Sequence, residues 1–252
     1  MKKMFACAMF FVCLAVYSYA STEDTAAECY RCAMELFDEG RNEEAERFCS
    51  FAAEMGNADA QYMMGRLRFD SEDYAASKPY FEKAANQGHA WAQFMMGELY
   101  NYAQYGLGQD YAMAMQWYSS AASQDIVRAK TMIGLLYYKG RGVKQDYKQA
   151  VQWFSEAAWQ DDAHAQFWLG MAYRDGKGVK KNNQEAARWF ESAAQQGNVA
   201  AEYAIGYHYE RGLGVEKNLD TAIDWYRKAA AEGYTDAQER LDALSKSWHV
   251  SR

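Results

Sequence analysis

Ala-Lys-Thr-Met-Ile-Gly-Leu-Leu-Tyr-Tyr-Lys-Gly-Arg-Gly-Val-Lys-Gln-Asp-Tyr-Lys-Gln-Ala-Val-Gln-Trp-Phe-Ser-Glu-Ala-Ala occupies residues 129–158. Matching text returns at 165–194 and again at 201–230. The alanine pairs Ala84-Ala85, Ala121-Ala122, Ala157-Ala158, Ala193-Ala194 and Ala229-Ala230 recur at intervals of 37, 36, 36 and 36 residues. Four residues before each pair stands an aromatic: Tyr80, Trp117, Trp153, Trp189 or Trp225. A second column is Gly65, Gly97, Gly134, Gly170 and Gly206. Such a period is the mark of a repeat architecture.

Each copy reads as two helices. The first, such as 163–173, places residues 165, 169, 172 and 173 on one face at helical period. The link Gly176-Lys177-Gly178-Val179 supplies glycines able to take the positive φ that ends a helix. The second helix, 183–195, stacks Ala186, Trp189, Phe190, Ala193 and Ala194, which assigns the aromatic column to the core. A unit this short cannot bury its stripe alone, so neighbours must stack into a solenoid. The single proline, Pro79, falls inside the second helix of the earliest copy and predicts that this helix begins late, near Ser77, or kinks.

The three copies resemble the Sel1-like repeat family, an α-solenoid class related to tetratricopeptide repeats. The resemblance implies an all-α fold, a right-handed α/α superhelical solenoid of helix-turn-helix repeats. The expected organisation is a leader at 1–20, a divergent capping hairpin at 21–57, and a capping helix and tail at 234–252. Five repeats lie between, at 58–88, 89–125, 126–161, 162–197 and 198–233.

Lys2 and Lys3, an uncharged apolar run to Val16, and Ser18-Tyr19-Ala20 have the three-part build of a secretory signal cleaved after Ala20. The expected destination is the periplasm or the exterior, and no apolar run beyond the leader is long enough to span a membrane. Without residues 1–20 the chain keeps 25 basic against 34 acidic residues, or −9, which offers nucleic acid and anionic lipid no electrostatic route. Cys29, Cys32 and Cys49 then remain. A hairpin turning at Glu39-Gly40 sets Cys49 opposite Cys29, so Cys29–Cys49 is the expected bridge, with Cys32–Cys49 the alternative.

No catalytic motif, cofactor loop or metal-ligand spacing is found. His89 and His164 open first helices, where exposure is expected; His208 and His249 complete the set. What varies between copies is a row two before, one after and four after each first-helix glycine, along one helix flank. It reads Met63, Arg66, Phe69; Met95, Glu98, Asn101; Met132, Leu135, Tyr138; Trp168, Met171, Arg174; and Ala204, Tyr207, Glu210. The resemblance implies that first helices line a concave face, so the row is either a partner-binding surface or packing between repeats. Methionines and aromatics suit the former.

The resemblance further implies an exported, non-enzymatic module that binds another protein, an envelope protein or a secreted effector, with an immunity protein that neutralises a toxic effector as its sharpest form. Cysteine-rich relatives imply an alternative, an enzyme that binds or hydrolyses β-lactams or cell-wall fragments. Those relatives carry a cysteine pair in each repeat, and this chain has cysteines only before residue 50.

Overall fold

A computed structural model describes residues 21–106 and 108–250, with side chains through Ser245; the leader, its cleavage point, the His249 side chain and the last two residues lie outside the described set. The chain divides into two compact units, Met1–Ile126 and Val127–Arg252. Among the described residues there are thirteen α-helices and no strand. Unit one pairs α1 (Thr22–Asp38) with α2 (Asn42–Glu54), α3 (Ala58–Asp70) with α4 (Tyr74–Asn86), and α5 (Ala90–Asn101) with α6 (Tyr111–Ser123). Unit two pairs α7 (Val127–Lys139) with α8 (Tyr147–Ala158), α9 (Ala163–Asp175) with α10 (Asn183–Gln195), and α11 (Val199–Arg211) with α12 (Leu219–Ala231). The helix α13 (Thr235–Val250) packs on α12. Within each unit the second helix of one pair packs on the first helix of the next, as the stacked-repeat expectation requires.

The rings that fill the core stand one residue beyond the expected column. Phe81, Tyr118, Phe154, Phe190 and Tyr226 are all fully buried, whereas Tyr80, Trp117, Trp153, Trp189 and Trp225 are half-buried. Each fully buried ring packs directly on the first-helix glycine of its own repeat. A Cβ at Gly134 would sit 2.5 Å from Phe154, and one at Gly170 would sit 2.7 Å from Phe190. The glycine column exists so that a ring can lie directly on helix backbone. The tryptophans do a different job, with Trp189 packed against the core of α8 and α9 and Trp225 against that of α10 and α11. They join a repeat to the one before it.

Side-chain caps start most of these helices. Asn57, Asp73, Asp110, Asp146, Asp162, Asn182, Asn198 and Asn218 each accept a hydrogen bond from a first-turn N–H. Asp73 corrects the late start near Ser77, one of the two outcomes expected from Pro79. It caps α4 at Tyr74, three residues ahead of Ser77, and the exposed Pro79 stands inside the helix. The carbonyl its missing N–H would have bonded, that of exposed Ala75, can turn to water. His89 is also corrected, because its Nδ1 accepts from Ala92 N at 3.1 Å as the cap of α5. Its ring stacks on Tyr62 and its Nε2 lies 3.3 Å from Asp59, which leaves the side chain 15% exposed. His164 is exposed, and His208 is buried with Nδ1 2.7 Å from Leu213 O.

Cys29, Cys32 and Cys49 share one core with Leu36, Phe48 and Met64. Cys49 is a thiol in the structure, so the expected Cys29–Cys49 bond is not formed in it. Apolar packing accounts for their burial, since a thiol behaves as a small hydrophobe. Burial pushes the Cys49 thiol up to about 12, and its Sγ donates to Ala60 O at 3.6 Å.

Candidate interaction surface

The row on the first helices does not behave as one surface. In unit one Met95 is buried, and Met63 is half-buried against the first core. Arg66 faces solvent in part and pairs with Asp70 at 3.3 Å. Glu98 accepts a hydrogen bond from Tyr118 Oη. In unit two Glu210 is buried, accepting from Tyr226 Oη at 2.9 Å and from Arg240 Nε at 2.7 Å. Arg240 belongs to α13, so the last helix closes over this end of the row. Its guanidinium holds the Glu210 carboxyl below the ordinary range.

Both glutamates therefore answer to the core. Where the core ring is Phe81, Phe154 or Phe190, no acceptor is needed. Where it is Tyr118 or Tyr226, a buried hydroxyl needs one, and a row glutamate supplies it. Glu210 is thus corrected from a partner-facing group to an internal acceptor, while Glu98 serves Tyr118 from a half-buried position.

Met63, Arg66, Phe69 and Glu98 of unit one stay half-buried, and more of the row is open in unit two. Met132, Leu135, Tyr138, Trp168, Met171 and Arg174 are all partly accessible, and Tyr207 is 37% exposed. Tyr138 and Trp168 stand 5.2 Å apart with rings tilted at 57°. Trp168 also lines a cleft of about 470 Å³ with Phe167, His164 and Tyr234. Arg174 is paired with Asp175 at 2.8 Å. Leu135, Tyr138 and Trp168 pack against one core of unit two and Met171 against the next, so these side chains both seal repeats together and face outward. Such a surface can bind by apolar contact. Among the described residues no group of His, Cys, Asp and Glu could hold a metal ion.

A second repeating feature escaped the sequence reading. Gln61, Gln93 and Gln166 donate from Nε2 to Ala53 O, Ala85 O and Ala158 O, at 3.0, 3.2 and 3.3 Å. Each also accepts from a glutamine on its repeat's second helix or just past it: Gln87 at 2.7 Å, Gln124 at 2.8 Å and Gln196 at 2.8 Å. The signal was in plain view, a glutamine four before the column glycine. The last repeat has Glu202 and Glu232 at these two places. Glu202 is 6% exposed and its buried Oε2 has no hydrogen-bond partner. A carboxylate cannot donate to a carbonyl, so the site favours the protonated acid. Burial raises the Glu202 pKa, Lys228 opposes that, and Glu232 adds to it.

The folded state therefore binds this proton more tightly than the unfolded chain. Its contribution is complete below the ordinary glutamate pKa and is lost as pH rises through the raised folded value. Glu202→Gln restores the amide donor. It is expected to raise stability at neutral pH by about 1–2 kcal/mol and to flatten the decline between weakly acidic and neutral pH. Urea titrations at the two pH values check this; no gain at neutral pH refutes the ladder.

A Sel1 repeat model matches residues 58–89, 92–126, 127–162, 163–198 and 199–234. Among solved structures, one similar protein is c5321, a protective antigen of uropathogenic Escherichia coli displaying an SLR fold. It is 31% identical with a TM-score of 0.76, over 88% of this chain and 49% of that one. The chain thus spans about half the length of c5321. A Sel1 repeat protein from Oxalobacter formigenes is 28% identical with a TM-score of 0.77, over 86% of this chain and 87% of its own. The immunity protein Pa5087 from Pseudomonas aeruginosa shares the fold at 21% identity and a TM-score of 0.50, over 71% and 67%. No curated protein matches the chain.

Proposed function

Because the chain belongs to the Sel1 repeat family, whose members bind other proteins, we propose that it is an exported module that grips a partner protein through the first-helix face of unit two. The observation that carries this reading is that Tyr138, Trp168, Met171 and Tyr207, large apolar side chains of the first-helix row, are left partly open. Large, adaptable side chains of this kind dominate binding energy at protein interfaces.

Export rests on the leader at 1–20, and the mature chain is expected to begin at Ser21. In that compartment Cys49 would oxidise with Cys29 or Cys32, since all three share one core. The sharper form of this role is a periplasmic immunity protein that neutralises a toxic effector, for which an exported binding face is the necessary equipment.

The test isolates the protein from the periplasmic fraction, sequences its N-terminus, and captures its partner with the wild type and with a Trp168→Ala, Met171→Ala, Tyr207→Ala variant. The variant should fold, by circular dichroism, and lose the partner. Retained capture moves the binding face elsewhere, and a chain that stays in the cytoplasm with residues 1–20 attached removes export.

A further inference from the structure

The charge of this protein is unevenly placed. Residues 139–148 hold four cations against one carboxylate, and residues 174–181 hold four against one. Everything else has 19 basic against 32 acidic residues, or −13. The two basic stretches are the C-terminal ends of α7 and α9 with the links that follow them, and they meet in space. Lys177 Nζ donates to Tyr138 Oη at 3.0 Å and lies 4.9 Å from the Tyr138 ring centre and 5.4 Å from that of Tyr147. Lys139 Nζ lies 5.8 Å from the Trp168 ring centre. Two ammonium groups thus flank a floor of three rings, with Tyr138 5.1 Å from Tyr147 and 5.2 Å from Trp168.

We propose that this surface is the docking face for a short acidic segment of a partner protein, its carboxylates taken by Lys139 and Lys177 and an apolar side chain seated on Tyr138 and Trp168. The proposal rests on the reading above and gives that partner its chemistry. Among the described residues neither lysine has a carboxylate in ion-pair contact. Burial, and then Arg141, hold the Lys139 ammonium below the ordinary lysine range, whereas the hydrogen bond to Tyr138 raises Lys177. Cations beyond a helix C-terminus also complement the helix dipole, but the links after α3 and α5, residues 71–73 and 102–110, contain no Lys or Arg. The dipole therefore does not demand them.

The acidic remainder decides between anionic partners. Charges act over about 8–10 Å at physiological salt, so the patch attracts a segment that stays within its reach. A nucleic acid or an anionic bilayer runs on past the patch, where the surplus of carboxylates repels it.

The experiment uses the full mature chain and a short fluorescein-labelled peptide of Asp and Glu with one Phe and one Leu, beside its Asn and Gln twin. The acidic peptide should bind more tightly than the twin, weaken with added salt, and weaken about tenfold or more in a Lys139→Glu, Lys177→Glu variant. A Lys139→Gln, Lys177→Gln variant should lie between. Equal binding of the two peptides, no binding of either, or indifference to both substitutions overturns the proposal. So does tighter binding of single-stranded DNA or phosphatidylglycerol vesicles than of the acidic peptide. If the lysine variants capture the periplasmic partner as well as wild type while the Trp168, Met171, Tyr207 variant loses it, the acidic chemistry fails and the binding face stands. If the apolar variant retains capture, the face itself fails.

Discussion

Phe154→Ala is expected to destabilise unit two by about 3–5 kcal/mol, the cost of emptying a fully buried aromatic site. The ring is 0% exposed and packs on Gly134, in the middle of the most regular repeat. Its removal leaves a void that the rigid backbone of α7 cannot close. The reciprocal change tests the same contact from the other side. Gly134→Ala would put a methyl 2.5 Å from the ring, so helices or ring must shift, at about 1–3 kcal/mol of overpacking. Alanine is otherwise the better helix former, so a glycine kept for no packing reason would make this substitution stabilising. Combined with Phe154→Ala, the added methyl enters the void and its cost should vanish, giving a coupling energy of at least about 1 kcal/mol. Urea denaturation followed by circular dichroism measures all three proteins. Additive effects would mean that ring and glycine do not touch.

Gly178→Ala is the second large effect, about 3 kcal/mol from two separable causes. The residue has φ of +78°, which a side chain tolerates at a cost of about 1–2 kcal/mol. Its Cβ would also fall 2.1 Å from Tyr147 O, backbone of the preceding repeat that has no rotamer to move. Overpacking there adds about 1–3 kcal/mol. Gly197 isolates the first cause, because it has φ of +80° and nothing within 4 Å of its added methyl. Gly197→Ala should therefore cost only about 1–2 kcal/mol. If the two alanine variants melt alike, the link does not press on the earlier repeat, and the stacking of α8 beneath the link after α9 is not as described.

These contacts show how far a single sequence carries. The period, the helix pairs, the glycine column and the positive-φ links all follow from local rules, because a helix face and a helix end are set by residues within a few turns of each other. The identity of the core ring did not follow. Trp189 and Phe190 are neighbours on a 100° step, and either could face inward. The sequence puts both on the buried side; the structure buries Phe190 fully against Gly170 and leaves Trp189 half-buried. Asp73 shows the same limit for Pro79: the cap together with the buried face of Ser77, Phe81, Ala84 and Ala85 holds the helix through a proline at an exposed position.

The candidate surface was half legible. Tyr138, Trp168, Met171 and Tyr207 were in the row and are partly open, while Met95 and Glu210 were in the row and are buried. Nothing within the fifth repeat says that Arg240, 30 residues on, will reach Glu210. Lys139 and Lys177 were outside the row altogether, since they sit at or beyond helix ends and meet the rings only when one repeat's link folds back on the previous repeat.

Residue order alone determined that this chain is a run of helix pairs that stand by stacking, because a repeated amphipathic pattern has one way to bury its stripe. Tertiary structure alone decided which rings are core, which glutamates serve a buried tyrosine and which lysines lie over exposed aromatics. Those outcomes depend on side chains a full repeat apart, and distance along the chain says nothing about which of them the stack brings within a few ångströms.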